Sequence, residues 1–188
     1  MNSTKIILLG LWLLLFSGCS LMPVPHPTQN EIETNADKLA RMIVDLNESI
    51  DPNEAQKFAW ESLNYAQRLA QDYEVVAPAL WHNTLVNIGV KKRGLCYQWA
   101  EDMLDHLLRQ NYQTIQLYVV GSDIGNYFEH NALVVTGIGE SYRDGIVLDA
   151  WRNSGDLFFV HLTEDKKYEW KNRQILYQAV LFRMYHHY

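Results

Sequence analysis

The sequence predicts an α+β domain, with helices first and an antiparallel sheet after them. Three observations carry this reading. Apolar residues recur at helical spacing through residues 35–110. Beyond residue 112 the pattern changes to short runs rich in Val, Leu, Ile and Phe. The connections between those runs are too short for crossover helices, so the strands pair antiparallel.

Each element has its own signal. Residues 35–48 put Leu39, Met42, Ile43 and Leu46 on one stripe, with Asn35 as the expected N-cap. Asp51-Pro52-Asn53-Glu54 supplies a cap, a first-turn proline and an early acid. It opens a second helix that reaches about Tyr73 and carries Phe58, Leu63 and Leu69. A third, shorter helix follows Pro78, passes Trp81, Leu85 and Ile88, and stops at Gly89. After Gly94 a fourth runs from Cys96 to about Gln110. Cys96, Ala100, Met103 and Leu107 share one of its faces, which puts Cys96 in the first turn on the side that packs.

Residues 113–120 and 130–137 read as strands. The turn signal Arg143-Asp144-Gly145 leads into a third strand over residues 146–151. Asn153-Ser154-Gly155-Asp156 is a second turn before a fourth strand at residues 157–160. Ile175–Phe182 is the candidate for a fifth. No internal repeat or low-complexity segment interrupts the chain.

With 188 residues, 48% hydrophobic and 20% charged, the chain has enough apolar material for one folded core. The formal charge of -6, and the lack of a basic run longer than Lys91-Lys92-Arg93, argue against nucleic acid as a partner.

The first residues read as targeting. Lys5 precedes an apolar run from Ile6 to Phe16. That run is too short to cross a hydrocarbon core of ~30 Å, and has the size of a signal-peptide hydrophobic region. Ser17-Gly18-Cys19 follows and resembles the lipobox of bacterial lipoproteins, although Phe16 stands where Leu is preferred. The resemblance implies cleavage after residue 18, acylation of Cys19 and a membrane anchor. Ser20 implies outer-membrane sorting, with the domain facing the periplasm. Residues 19–33, rich in proline, then form a tether. The folded domain is expected over residues 34–188.

Two cysteines occur in the chain, and the lipid takes Cys19. Cys96 is then alone in an oxidising compartment, with no disulfide partner in its own chain. A thiol reacts as its thiolate, and an unperturbed cysteine has a pKa of about 8.5. A helix N-terminus and a neighbouring imidazolium both favour the anion, and Lys91, Lys92 and Arg93 are expected to help. The imidazole needs a carboxylate behind it to fix its tautomer. His130 opens the second strand and Asp149 lies in the third, so both residue types are present on rigid elements.

The segments Gly94-Leu95-Cys96-Tyr97-Gln98-Trp99-Ala100, His130-Asn131-Ala132-Leu133-Val134-Val135 and Val147-Leu148-Asp149-Ala150-Trp151 resemble the three motifs of the transglutaminase-like superfamily. Asn131-Ala132 stands where that family often has an aromatic residue. The resemblance covers about residues 60–160. It implies a papain-like core with Cys96 as nucleophile, His130 as base then acid, and Asp149 as the residue that orients His130. The implied activity is that of a cysteine peptidase, amidase or acyltransferase on a protein or cell-wall peptide. Hydrolysis is favoured because water is the abundant acceptor. The backbone N–H of Cys96 is the natural oxyanion donor, and Trp81 or His82 is the candidate for the second. The alternative is a binding or assembly module without catalysis.

The remaining histidines read as structural. His186-His187 would point to opposite faces of a strand, and His82, His106 and His161 lack ligand spacing. No glycine-rich phosphate loop or serine-hydrolase motif occurs. No metal and no cofactor is expected.

Overall fold

A reciprocal capping box opens the first helix. Glu31 N–H donates to the Thr28 hydroxyl at 3.3 Å, and Thr28 N–H donates to the Glu31 carboxylate at 2.7 Å. This doubly bonded cap wins over a lone Asn35. Helix α1 therefore spans Gln29–Val44 and takes in residues 29–33 of the segment expected as tether. The computed structural model describes residues 27–186. The signal segment, Cys19 and His187 lie outside the described residues.

Helix α2 spans Pro52–Asp72, and the Asp51 carboxylate accepts from Asn53 and Glu54 N–H groups at 2.7 and 3.0 Å. Helix α3 spans Ala79–Asn87 and α4 spans Cys96–Leu108. Strands β1 (Ile115–Ser122), β2 (His130–Gly137), β3 (Ile146–Asp149), β4 (Phe158–His161) and β5 (Lys171–Asn172) form one sheet. Helix α5, Gln174–His186, closes the described chain. The fold is α+β. Among the described residues, five α-helices accompany an open, five-stranded antiparallel sheet of order β4-β3-β2-β1-β5. None of those helices is long and apolar enough to cross a membrane.

The fifth strand is not where the apolar run placed it. It is the two-residue β5, at the edge beside β1, and Ile175–Phe182 lies in α5. The reason is periodicity. Leu176, Tyr177, Val180 and Met184 pack on the core, a helical set, while Ile175 and Phe182 stay exposed.

Strand alternation divides the sheet into two faces. Leu117, Val119, Leu133, Val135, Ile146 and Leu148 join the cluster under the helices. Val120, Ala132, Val134 and Val147 join a second cluster with Trp170 on the other face. Helix α4 packs its Leu104 and Leu107 into the first cluster, and α2 adds Phe58. This fixes the start of α4 against the start of β2.

The loop into α4 is tied down from three sides. Val76 N–H donates to Nδ1 of the buried His82 at 3.2 Å, so the ring proton is on Nε2, which donates to the Arg93 carbonyl at 2.9 Å. Trp99 Nε1 donates to the Gly94 carbonyl at 3.0 Å. The Gln98 side-chain oxygen accepts from Gly94 and Leu95 N–H groups at 2.8 and 3.0 Å. Gly94 has φ +125°, and a Cβ there would meet His82 Nε2 at 2.2 Å. Gly94→Ala is therefore expected to destabilise the fold by about 2 kcal/mol or more, seen in thermal melting as a loss of roughly 5 °C or more. An unchanged melting temperature would show that this close approach does not constrain the loop.

Candidate active site

Three elements deliver their terminal residues to one place. Cys96 is the first residue of α4, His130 the first of β2 and Asp149 the last of β3. The β2–β3 register pairs Leu133 with Leu148 and Val134 with Val147. Continued toward the start of β2, it sets Asp149 diagonal to His130 on the same face. His130 Nε2 lies 2.7 Å from Asp149 Oδ2.

This pair is deeply buried, with His130 3% and Asp149 1% exposed. Isolated ionised groups there would be costly, so their partners matter. Asp149 Oδ1 accepts from Arg152 N–H at 3.0 Å, and Oδ2 also accepts from Arg152 Nε at 2.9 Å. Arg152 is in turn held by Asp165, with Nη2 to Oδ2 at 2.6 Å, and Trp170 Nε1 donates to the same Oδ2 at 2.9 Å. The guanidinium stacks over Phe158, 3.8 Å from the ring centre. The rings of Trp151, Tyr168 and Trp170 surround the imidazole at centroid distances of 4.6, 4.5 and 5.4 Å. A second bond, from Trp151 Nε1 to Asn83 Oδ1 at 2.9 Å, ties this aromatic shell to α3.

Burial opposes the charged imidazolium, but the Asp149 carboxylate outweighs it, with help from Cys96, and His130 is pushed up to about 9. For Asp149, burial raises the pKa, yet His130 and then Arg152 hold it below the usual carboxylate value.

The thiol is 8% exposed. It donates to the Glu129 carbonyl at 3.5 Å and receives Asn131 Nδ2 at 3.9 Å. His130 Nδ1 has no hydrogen-bond partner among the described residues. The sulfur thus contacts the residues on either side of His130, Glu129 and Asn131. Leu95, which caps α4, offers no side-chain acceptor to the first N–H groups of the helix. A cleft of about 380 Å³ leads to the thiol, lined in part by Leu80, Tyr97, Tyr127, Phe128 and Asn131.

Three expectations need correction: the help of the basic run, the second oxyanion donor and the strand at His186. Lys91 pairs with Glu74 at 2.7 Å and Arg93 with Asp102, so neither is free to serve the thiol. Both ring nitrogens of His82 are engaged, and Trp81 does not line the cleft, so neither supplies an oxyanion donor. Glu129 pairs with Arg173 at 2.7 Å. His106 bonds Glu61 at 2.8 Å and stacks on Tyr65. His186 ends a helix, so the strand argument about it fails. Among the described residues no group of three His, Cys, Asp or Glu side chains could hold a metal ion. Arg152 and Asp165 belong to no motif of the sequence, and Asn131 stands out there only as a departure from an aromatic residue. Arg152 had a local signal, since it follows Asp149 by three residues in a turn, whereas Asp165 is brought in by the β4 hairpin.

The pair sets a pH window. A raised histidine contributes stability that is complete below its unfolded value near 6.5 and is lost as pH rises through about 9. A depressed Asp149 contributes stability present above the ordinary aspartate value and lost as pH falls through its lower folded value. The melting temperature is expected to fall between pH 7 and 9.5, and Asp149→Asn is expected to flatten that fall. A slope equally steep in the variant would show that another group titrates.

Compared with protein-family models, with curated proteins and with solved structures, the chain matches none.

Proposed function

We propose that the chain is an envelope-anchored cysteine hydrolase or acyltransferase with a transglutaminase-like, papain-like core. It acts on amide or peptide bonds through Cys96, His130 and Asp149. The observation that carries this reading is the imidazole itself. Its Nε2 is held by a buried carboxylate at 2.7 Å and its Nδ1 is left unpaired, while the Cys96 sulfur at the head of a helix contacts its two chain neighbours, Glu129 and Asn131, at 3.5 and 3.9 Å.

The chemistry follows from these positions. His130, as imidazolium, already holds the thiol proton on Nδ1, and the Cys96 thiolate of this ion pair attacks the substrate carbonyl carbon. A carbon–sulfur bond forms, and the carbonyl π electrons move to oxygen. When the carbonyl re-forms, the carbon–nitrogen bond breaks and the departing nitrogen takes the proton from Nδ1. The product is a thioester. Water, or an amine, then attacks it and gives a proton to Nδ1. The carbon–sulfur bond breaks and the sulfur leaves as thiolate. Asp149 holds the ring through Nε2 throughout, and the backbone N–H of Cys96 is the natural donor to the developing oxyanion.

The walls of the cleft suit an extended peptide. Leu80, Tyr127 and Phe128 are exposed around the thiol, and exposed apolar groups gathered at one site mark a binding surface. A secreted or cell-wall peptide is the substrate class that the Cys19 anchor would make accessible. Anchoring through Cys19 rests on the resemblance of residues 1–20 to lipoprotein leaders.

Cys96 is expected to react with iodoacetamide at pH 6 about tenfold or more faster than free cysteine. His130→Ala should abolish that excess. Slow, ordinary thiol kinetics in the folded wild type would overturn the enzyme reading and favour a binding module instead.

A further inference from the structure

We infer that Asn131 is a further catalytic residue. Its side-chain N–H, together with the open start of α4, holds negative charge first on the Cys96 sulfur and then on the oxygen of the acyl group bound to it. This inference rests on the cysteine-nucleophile reading above.

Alternation along β2 is the starting point. His130 turns to the face covered by Tyr168 and Trp170, so Asn131 turns to the helix face. Helix α4 begins at that end of the strand, so the sulfur lies within reach of both side chains. Asn131 Nδ2 is 3.9 Å from Sγ, and the residue lines the cleft that opens on the thiol. An acyl oxygen would be two bonds from that sulfur, within reach of the same N–H.

The orientation of the amide is set by its neighbours. Nδ2 also donates to Glu129 Oε1 at 3.2 Å, an acceptor that would repel the amide oxygen if the group were flipped. Glu129 cannot swing away easily. Arg173 holds Oε1 at 2.7 Å, and Gly125 N–H donates to Oε2 at 2.7 Å. Arg173 is itself fixed through its backbone N–H to the Val119 carbonyl at 2.7 Å. A chain from the sheet edge to the sulfur thus aims one N–H at the reacting atom.

The same amide carries a structural cost. Asn131 Oδ1 is buried without a hydrogen-bond partner, beside Gly121 of β1. A buried amide oxygen left unpaired costs about 1–3 kcal/mol. Packing alone would favour an apolar residue in a strand that continues Ala132-Leu133-Val134-Val135. The amide is explained by what its nitrogen does. Of the second donors expected from the sequence, His82 is fully engaged and Trp81 is outside the cleft, whereas Asn131 has its N–H within 3.9 Å of the sulfur.

The charged and titratable groups around the sulfur are His130 on β2, Tyr127 and Glu129 in the preceding loop, Tyr97 on α4 and Tyr168 across the sheet. The Asp149–Arg152 pair stands behind the imidazole. Asn131 is the neutral donor among them, so its removal alters the anion without adding a charge.

The test is the iodoacetamide reaction of the full chain at pH 6 and pH 9, in wild type, Asn131→Leu and Glu129→Gln, with thermal melting to confirm folding. Asn131→Leu is expected to react about tenfold more slowly at pH 6 and little differently at pH 9, where the anion needs less help. With a turned-over substrate, kcat should fall about a hundredfold or more, as for loss of an oxyanion donor. Glu129→Gln frees the amide to turn, so a smaller loss of the same sign is expected at pH 6. A fast wild type with an equally fast, folded Asn131→Leu would overturn the role of Asn131 and leave the proposed function standing. If Asn131→Leu does not fold, Glu129→Gln decides, and an unchanged rate there overturns the inference. A slow wild type removes the proposed function and this inference together.

Discussion

A carboxylate with no access to water anchors the organisation of this molecule. Asp149 is acceptable inside the sheet because it accepts from His130 Nε2, Arg152 Nε and Arg152 N–H. Removing any one partner would leave buried charge uncompensated. The requirement propagates outward. Arg152 needs Asp165, Asp165 needs the Trp170 indole and the Lys167 N–H, and Trp170 roofs the second face of the sheet. A single acid in a strand thereby recruits the turn after β3, the segment after β4 and the aromatic shell. Its charges alternate in sign from His130 to Asp165, so the array stays near neutral while each member remains ionised.

The sulfur is placed by a different set of forces. Helix α4 is docked by its apolar face, which commits its first residue to the end of β2. The loop before it is clamped by His82, Trp99 and the Arg93–Asp102 pair, with the Tyr73 hydroxyl on the same carboxylate at 2.6 Å. The helix cap is left without a side-chain acceptor. A Ser or Asp at that position would accept from those N–H groups. Leu95 keeps the donors open, while Gln98 bonds the N–H groups just outside the helix. Stability of the helix start and availability of its donors are thus assigned to different residues.

Much of this was legible in the chain. The span of β2 agrees with the short apolar run 130–137, and Pro52 and Asp51 mark the start of α2. The head-of-helix position of Cys96 follows from Gly94 and the stripe Cys96–Leu107. Other features lay below the reach of local pattern. The apolar run of α5 contains eight residues that read as strand by composition, and only the packed subset at helical spacing reveals the helix. Asn131 looked like a departure from an expected aromatic, because one residue's face cannot be assigned until the strand is set against its helix. Glu129 sits beside His130 in sequence yet pairs with Arg173, a residue 44 positions away.

The sequence by itself determined the class of the fold, most helix and strand limits, and the three residues whose chemistry fits a cysteine site. These depend on periodicity and on caps, which act over one or two turns. Tertiary structure alone decided that His130 and Asp149 bond, that Arg152 and Asp165 complete their charge, and which residues approach the sulfur. Those outcomes depend on strand register and on the docking of α4. Both are set by burial summed over the whole sheet, and no short stretch of the chain contains that sum.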